Sequence, residues 1–310
     1  MTSTSVPHAV PTTLPKPYRG ERRAPWLMLA PALTVLGILA IAPTAYLVYM
    51  AFHRKNLFQA TPPEWVGTEN FSYLFSQRDF VDSIVKTFTL AGGALAAELV
   101  LGFLFAALIF RARNLPGMGV LRTVLTTPIL LAPIVTAQIW RFMYQPQYGV
   151  INYLFGLVGL PQNDWLANPD LALWSVAFID VWQWTPFVFL VVLAGMYGIP
   201  PSIYEAAELD GTSLWRQTIH LTIPMLKRVL MVVALLRLID LLRVFDVIVG
   251  TTQGGPAGAT WTLPIGIWQS AFREFSMGDA AAASLVLLVL VSIVITVFIR
   301  IAARPDRARA

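Results

Sequence analysis

The sequence predicts an all-α integral membrane protein with six transmembrane helices. Three observations carry that prediction. First, 56% of the 310 residues are hydrophobic and only 13% are charged, against about 25% charged in a typical soluble domain. At a mean hydropathy of +0.65 the apolar excess has no single soluble core to enter, and lipid is its natural solvent. Second, six apolar runs reach the ~20 residues that a span requires. Third, Lys and Arg gather at alternate ends of those runs, as membrane orientation demands.

The spans fall near residues 26–52, 84–110, 119–143, 172–197, 225–249 and 280–302. They follow a tail of residues 1–25 and precede a short tail of residues 303–310. The first run is longer than the ~7–15 apolar residues of a signal peptide, so it reads as a retained span. The third run holds Pro128 and Pro133, and the fourth holds Pro186. Proline is tolerated in a span where neighbouring helices satisfy the freed carbonyls, so these runs read as kinked, packed helices.

Basic residues orient the chain. Lys16, Arg19, Arg22 and Arg23 precede span one; Arg111, Arg113 and Arg122 follow span two; Arg216, Lys227 and Arg228 follow span four; and Arg300, Arg304, Arg307 and Arg309 close the chain. The loop from Tyr144 to Leu171 has no Lys or Arg, and the loop after span five has only Arg273. Arg54, Lys55, Arg78 and Lys86 after span one fit less well. The balance places both termini in the cytoplasm. It also explains the net charge of +5 without nucleic acid as a partner. Trp65, Tyr73, Tyr144, Tyr148, Tyr153 and Trp165 in the external loops suit an interfacial belt or short surface helices.

Enzymatic chemistry finds no constellation. The chain has no cysteine, which excludes thiolate metal sites and thiol catalysis. Its three histidines, His8, His53 and His220, are dispersed, so neither a metal site nor a catalytic residue is expected. A phosphate loop needs Gly-Lys followed by Ser or Thr, and none of Lys16, Lys55, Lys86 and Lys227 follows glycine. No cofactor is expected on this chain.

The loop between spans four and five, about residues 199–224, has a distinct organisation. Pro200-Pro201 end the preceding helix, Ser202 can cap the next, and Tyr204 to Leu209 are helix formers. Gly211 can adopt the left-handed conformation that closes a helix. Tyr204, Ala207 and Glu208 then share a face, Ala206 and Ala207 allow close approach of another protein, and Glu205 and Asp210 supply carboxylates. Glu205-Ala206-Ala207, three residues, Gly211, nine residues, then Leu221-Thr222-Ile223-Pro224 resembles the EAA loop of binding-protein-dependent ABC importer permeases.

The resemblance covers nearly the whole chain after the tail. Ala30-Pro31, Pro43 with Tyr46, Arg122, Pro128, Trp140, the string Trp182 to Phe187, Ala194-Gly195, Phe245-Asp246, Thr252 with Gly254-Gly255-Pro256, and Thr260 are similar to the carbohydrate-uptake branch that includes maltose and glycerol-phosphate permeases. The two extra spans and long external insertion of the maltose transporter's larger permease are absent. The resemblance implies a type I, methionine-permease-like core of six spans in the cell inner membrane. It implies a second homologous but non-identical permease, although symmetry alone also allows a homodimer. It further implies a separate ABC ATPase dimer that binds ATP and Mg, an extracytoplasmic solute-binding protein, and a sugar as cargo. Polyols and glycerol phosphate are the neighbouring possibilities. An ion-driven secondary transporter would leave the EAA loop without a role.

Span five carries Arg237, Asp240, Arg243 and Asp246 at three-residue steps. Such residues do not face lipid. They form either a self-neutralising ladder that packs the span or part of a polar route for sugar hydroxyls. Trp140, Tyr144, Trp182, Trp184 and Phe187 can stack on sugar rings or simply pack. Thr252, Gly254, Gly255 and Pro256 form a Gly-rich external turn, which by resemblance meets the binding protein or the gate.

Overall fold

The computed structural model describes residues 24–302. The tail of residues 1–23, with its basic cluster, and residues 303–310 lie outside the described residues. Among the described residues, five helices are long and apolar enough to cross a membrane, and a bent helix pair, counted as one span, brings the number to six.

The first helix, α1 (Ala24–Ala51), contains Pro31 and Pro43. None of its residues between Trp26 and Tyr49 is buried. A helix apolar on all sides suits a lipid or protein neighbour. The second unit of the chain begins at Met50. There a short antiparallel ribbon pairs His53 with Trp65 and Arg54 with Glu64, followed by α2 (Glu69–Ser76). The buried Asn70 side chain donates to the carbonyls of Ala51 and His53 at 2.9 and 3.1 Å. Leu57 N–H donates to Phe275 and Met277 N–H to Lys55, so this loop is tied to the start of the last helix.

The centre of the bundle is α3 (Arg78–Arg111) packed on α7 (Pro169–Tyr197). Gly102 permits the approach: a Cβ there would lie 2.6 Å from a Val188 methyl. The apolar faces form two cores. One joins Leu90, Val176, Ile179, Leu241 and Ile248, and the other joins Ala106, Ile109, Val188, Phe189, Leu226 and Val233.

Span three is broken rather than merely kinked. The helix α4 (Met118–Thr126) and a 3-10 turn (Thr127–Leu130) meet α5 (Pro133–Met143) at 102°. Pro133 has no N–H and pushes Ala132 to extended backbone. The Leu131 carbonyl freed by the break accepts from Gln183 Nε2 at 2.7 Å. This supplies the polar partner that broken helices need in a membrane. A short surface helix, α6 (Val150–Leu157), follows.

Two further boundaries differ from the sequence expectation. Span five begins at Leu214, not near residue 225, because α9 (Leu214–Gln217) runs through a π segment (Thr218–Thr222) into α10 (Ile223–Leu241). Pro224 cannot donate to the carbonyl four residues back, and a π turn absorbs that loss without ending the helix. The span ends at Leu241, and α11 (Asp246–Thr251) starts anew with Asp246 in its first turn, where the helix dipole favours a carboxylate. Then come α12 (Leu263–Phe272) and the last span, α13 (Met277–Ala302).

Replacing Gly102 by Leu forces α3 from α7, and overpacking of this kind costs about 1–3 kcal/mol. The thermal unfolding temperature of the purified protein is expected to drop. Gly37→Ala, where a Cβ meets nothing within 4 Å, is expected to leave it unchanged.

Candidate coupling loop and intramembrane charge cluster

The loop after α7 forms a short helix, α8 (Pro201–Leu209), with Pro200 at its N-cap and no side-chain capping bond. Ser202 therefore does not cap it. Pro201 starts the helix instead, since its missing N–H is one that the first turn leaves free anyway. The far end closes as expected. Gly211 has φ +66°, its N–H donates to Glu208 O at 3.0 Å, and Thr212 N–H donates to Ala207 O at 3.1 Å. This is the Schellman arrangement, which needs a left-handed residue at the glycine.

Glu205, Ala206, Glu208 and Asp210 face outward, while Ala207 is buried and Tyr204 half-buried. The two alanines thus divide: Ala207 packs inward and Ala206 is free for another surface. Leu209 is 90% exposed and Trp215 71%, so the outer side mixes acids with large apolar groups. The inner side is fastened. Tyr204 Oη and Thr222 Oγ1 are 3.2 Å apart. The buried Gln217 donates to Thr212 O at 3.1 Å. Arg111, at the end of α3, donates to Leu214 O at 2.9 Å and Thr218 Oγ1 at 3.0 Å. Ser213 caps α9 by accepting from Arg216 N–H. Pro224 lies in the first turn of α10, so one helical rod joins the loop to the membrane interior. A cavity of about 420 Å³ borders α8, lined by Phe110, Arg111, Tyr204, Glu205, Glu208 and Gln217 among others.

In the membrane interior the charges of span five do not form a ladder. Arg237 is 1% exposed. Its Nε and Nη2 donate to the two carboxylate oxygens of Glu98 on α3 at 2.7 and 2.8 Å. Its Nη2 also donates to Asp180 on α7 at 2.6 Å. Glu98 is 0% and Asp180 2% exposed. The in-helix neighbour Asp240 is 3.6 Å from Nη1 and half-exposed. Arg243 and Asp246 are exposed and form no ion pair among the described residues. The ladder fails because a guanidinium fork is better satisfied by two buried carboxylates than by partners along its own helix. Glu98 and Asp180 escaped sequence reasoning. The available signal was a lone carboxylate inside each of two apolar runs, which in lipid requires a partner.

The aromatic candidates separate by depth. Trp140 and Tyr144 are 4% and 5% exposed and belong to the first core. Trp140 meets the rings of Tyr144, Phe178 and Trp182 at 5.2–5.5 Å, so both residues pack inside this chain and do not line an open face. Trp182, Trp184 and Phe187 are half-buried, and the Trp184 ring lies 4.7 Å from the Arg237 guanidinium. The Gly-rich turn is a separate structure. Thr252 and Thr260 hydroxyls lie 2.7 Å apart, Thr260 Oγ1 donates to Gly255 O at 2.6 Å, and Gly254 has φ +93°. Pro256 follows Gly255 in the same turn.

Residues 98–308 match the family described as the binding-protein-dependent transport system inner membrane component. The chain is 36% identical over 287 residues to the trehalose/maltose transport system permease protein MalF of Thermococcus litoralis, covering 92% of this chain and 95% of that one. It is 30% identical to the sulfoquinovosyl glycerol transport system permease protein SmoG of Agrobacterium fabrum, covering 93% and 92%. Its fold is like that of a chain in the crystal structure of a bacterial ABC transporter involved in import of the acidic polysaccharide alginate, with a TM-score of 0.80, 23% identity, and coverage of 93% and 98%. A chain of the inward-facing MetNI methionine ABC transporter gives a TM-score of 0.55 at 16% identity, covering 76% and 97%.

Arg237→Ala leaves two buried carboxylates without their cation, a loss of about 3–5 kcal/mol. A sharp fall in unfolding temperature is expected. Arg243→Ala removes an exposed charge, and the effect is expected to stay within about 0.5 kcal/mol.

Proposed function

The chain belongs to the family of binding-protein-dependent transport system inner membrane components, and from that premise we propose that it forms half of the translocation pathway of an ATP-driven sugar importer. It is a multi-pass integral protein of the inner membrane. The observation that carries the reading is α8: an exposed helix closed by Gly211 and joined by the turn 210–213 to α9, which Arg111 of α3 fastens and which runs on into span five. Such a helix can receive force from a second protein and pass it into the membrane.

Both termini lie in the cytoplasm, which puts α8 on the same side as ATP. ATP and Mg bind a separate ATPase dimer. Closure of that dimer moves α8 through Glu205, Ala206, Asp210 and their exposed neighbours, and Pro224 marks where the movement enters span five. A second, homologous and non-identical permease supplies the other half of the route. An extracytoplasmic solute-binding protein delivers cargo to the external loops, where the turn of Thr252, Gly254, Gly255 and Pro256 meets it or the gate.

The cargo is a sugar. Its relatives, a trehalose/maltose and a sulfoquinovosyl glycerol transport system permease, support that class. Asp240, in the last turn of span five, and Arg243 and Asp246 just beyond it are exposed charges. They offer carboxylate acceptors and guanidinium donors to hydroxyl groups. Half-buried Trp182, Trp184 and Phe187 supply apolar ring faces, with Trp140 and Tyr144 packed behind them. A glycerol-linked sugar or a polyol is a second reading, favoured by the sulfoquinovosyl glycerol relative.

In the assembled complex, Glu205→Ala and Gly211→Pro are expected to lower cargo-stimulated ATP hydrolysis and uptake together, by about tenfold or more, a coupling loss of at least ~1.4 kcal/mol. Gly211→Pro acts by forbidding the positive φ. Unchanged stimulation and uptake in both variants would show that the loop does not couple.

A further inference from the structure

Span five links two regions of this chain. One end is the outgoing arm of the coupling loop, helical from Leu214. Further along the same helix lies Arg237, whose guanidinium serves two sides. On the buried side it holds α3 through Glu98 and α7 through Asp180. On the exposed side it faces Asp240 at 3.6 Å and covers the Trp184 ring at 4.7 Å.

Each of those contacts depends on register. The Glu98 pair is bidentate, and a planar fork satisfies two oxygens only in one orientation. A slip of α10 along α3 by one helical turn, about 5 Å, would break all the bonds of the cluster. Apolar packing in lipid does not resist such a slip strongly, because acyl chains are as apolar as Leu. One cation also faces two buried carboxylates and a third that is half-exposed. Asp240 lies 3.6 Å from the guanidinium and keeps about half of its side chain exposed.

We propose that Arg237 is a positioning residue: it clamps span five to α3 and α7, so that a push on the coupling loop moves the three helices as one body and keeps Asp240 and Trp184 fixed on the wall of the route. The proposal rests on the reading of the chain as an ATPase-coupled permease.

The chain has no cysteine, so spin labels can be placed without removing native residues. Leu101→Cys on α3 and Leu236→Cys on span five are exposed sites. The labelled chain is assembled with its ATPase dimer and second permease in lipid nanodiscs. The label separation is measured without nucleotide and with ATP trapped on a hydrolysis-deficient ATPase. The clamp predicts one separation in both states. It predicts that Arg237→Lys, and to a lesser degree Glu98→Gln, leave the nucleotide-free distance near its starting value but widen or broaden it by ~3 Å or more under ATP, a sizeable part of a helical turn.

Three results overturn the proposal: a change of a full turn between states in the protein with its charges intact, native spacing in both variants under ATP, or the same displacement in both states, which marks a purely structural role. If Arg237→Lys does not assemble, Glu98→Gln, which retains the Asp180 partner, is judged by the same three results. A label at Leu209 in the coupling loop reports separately on ATP-driven movement. Stillness there contradicts the coupling reading, while the variants still report on the clamp.

Discussion

A guanidinium enclosed by two carboxylates, between helices that cross lipid, fixes the arrangement of the rest of the bundle. Glu98, Asp180 and Arg237 are all buried, and none is tolerable alone in a hydrocarbon environment. Their mutual satisfaction forces α3, α7 and α10 into one register. The two apolar cores lie on either side of it. Along α3, Leu90 to Ala94 belong to one core and Ala106 and Ile109 to the other, with Glu98 between them. The same bracketing holds for Arg237 on α10, between Val233 and Leu241, while Asp180 on α7 sits inside the first core, between Ile179 and Val181. Apolar contact supplies area, and the charges supply the alignment that lipid-like side chains lack.

The broken elements follow the same rule of satisfied polarity. The 102° bend of span three leaves the Leu131 carbonyl to Gln183. Pro224 is absorbed by a π turn and does not become a gap. The coupling loop ends its helix at a left-handed glycine whose neighbours take the last carbonyls. Irregular backbone is thus confined to places where side chains or turns complete it. The result is a loop that is exposed on its outer side and firmly joined on its inner side.

Much of this was legible in the sequence, because hydropathy and motif spacing are local signals. The spans appear as apolar runs, Gly211 announces a helix stop, and Glu205-Ala206-Ala207 with Pro224 marks the loop. What local patterns miss is pairing across helices. Arg237, Asp240, Arg243 and Asp246 stand at helical spacing and so invite an in-helix ladder. The true partners, Glu98 and Asp180, are 139 and 57 residues away from Arg237. Span five starts earlier than the pattern suggests because proline reads as a boundary and the helix runs through it, and it ends earlier because the apolar pattern carries on into the separate helix α11. Trp140 and Tyr144 carry the same residue types as ring-stacking sites, and only burial shows them packed inside.

The central claim, that this chain is driven through α8 by a separate ATPase, is tested most directly by reconstitution. The chain is placed in proteoliposomes with and without its ATPase dimer, second permease and solute-binding protein, and sugar accumulation is followed under ATP and under ion gradients. The account predicts accumulation only with the full set and ATP. Accumulation by the chain alone, driven by an ion gradient, would contradict it.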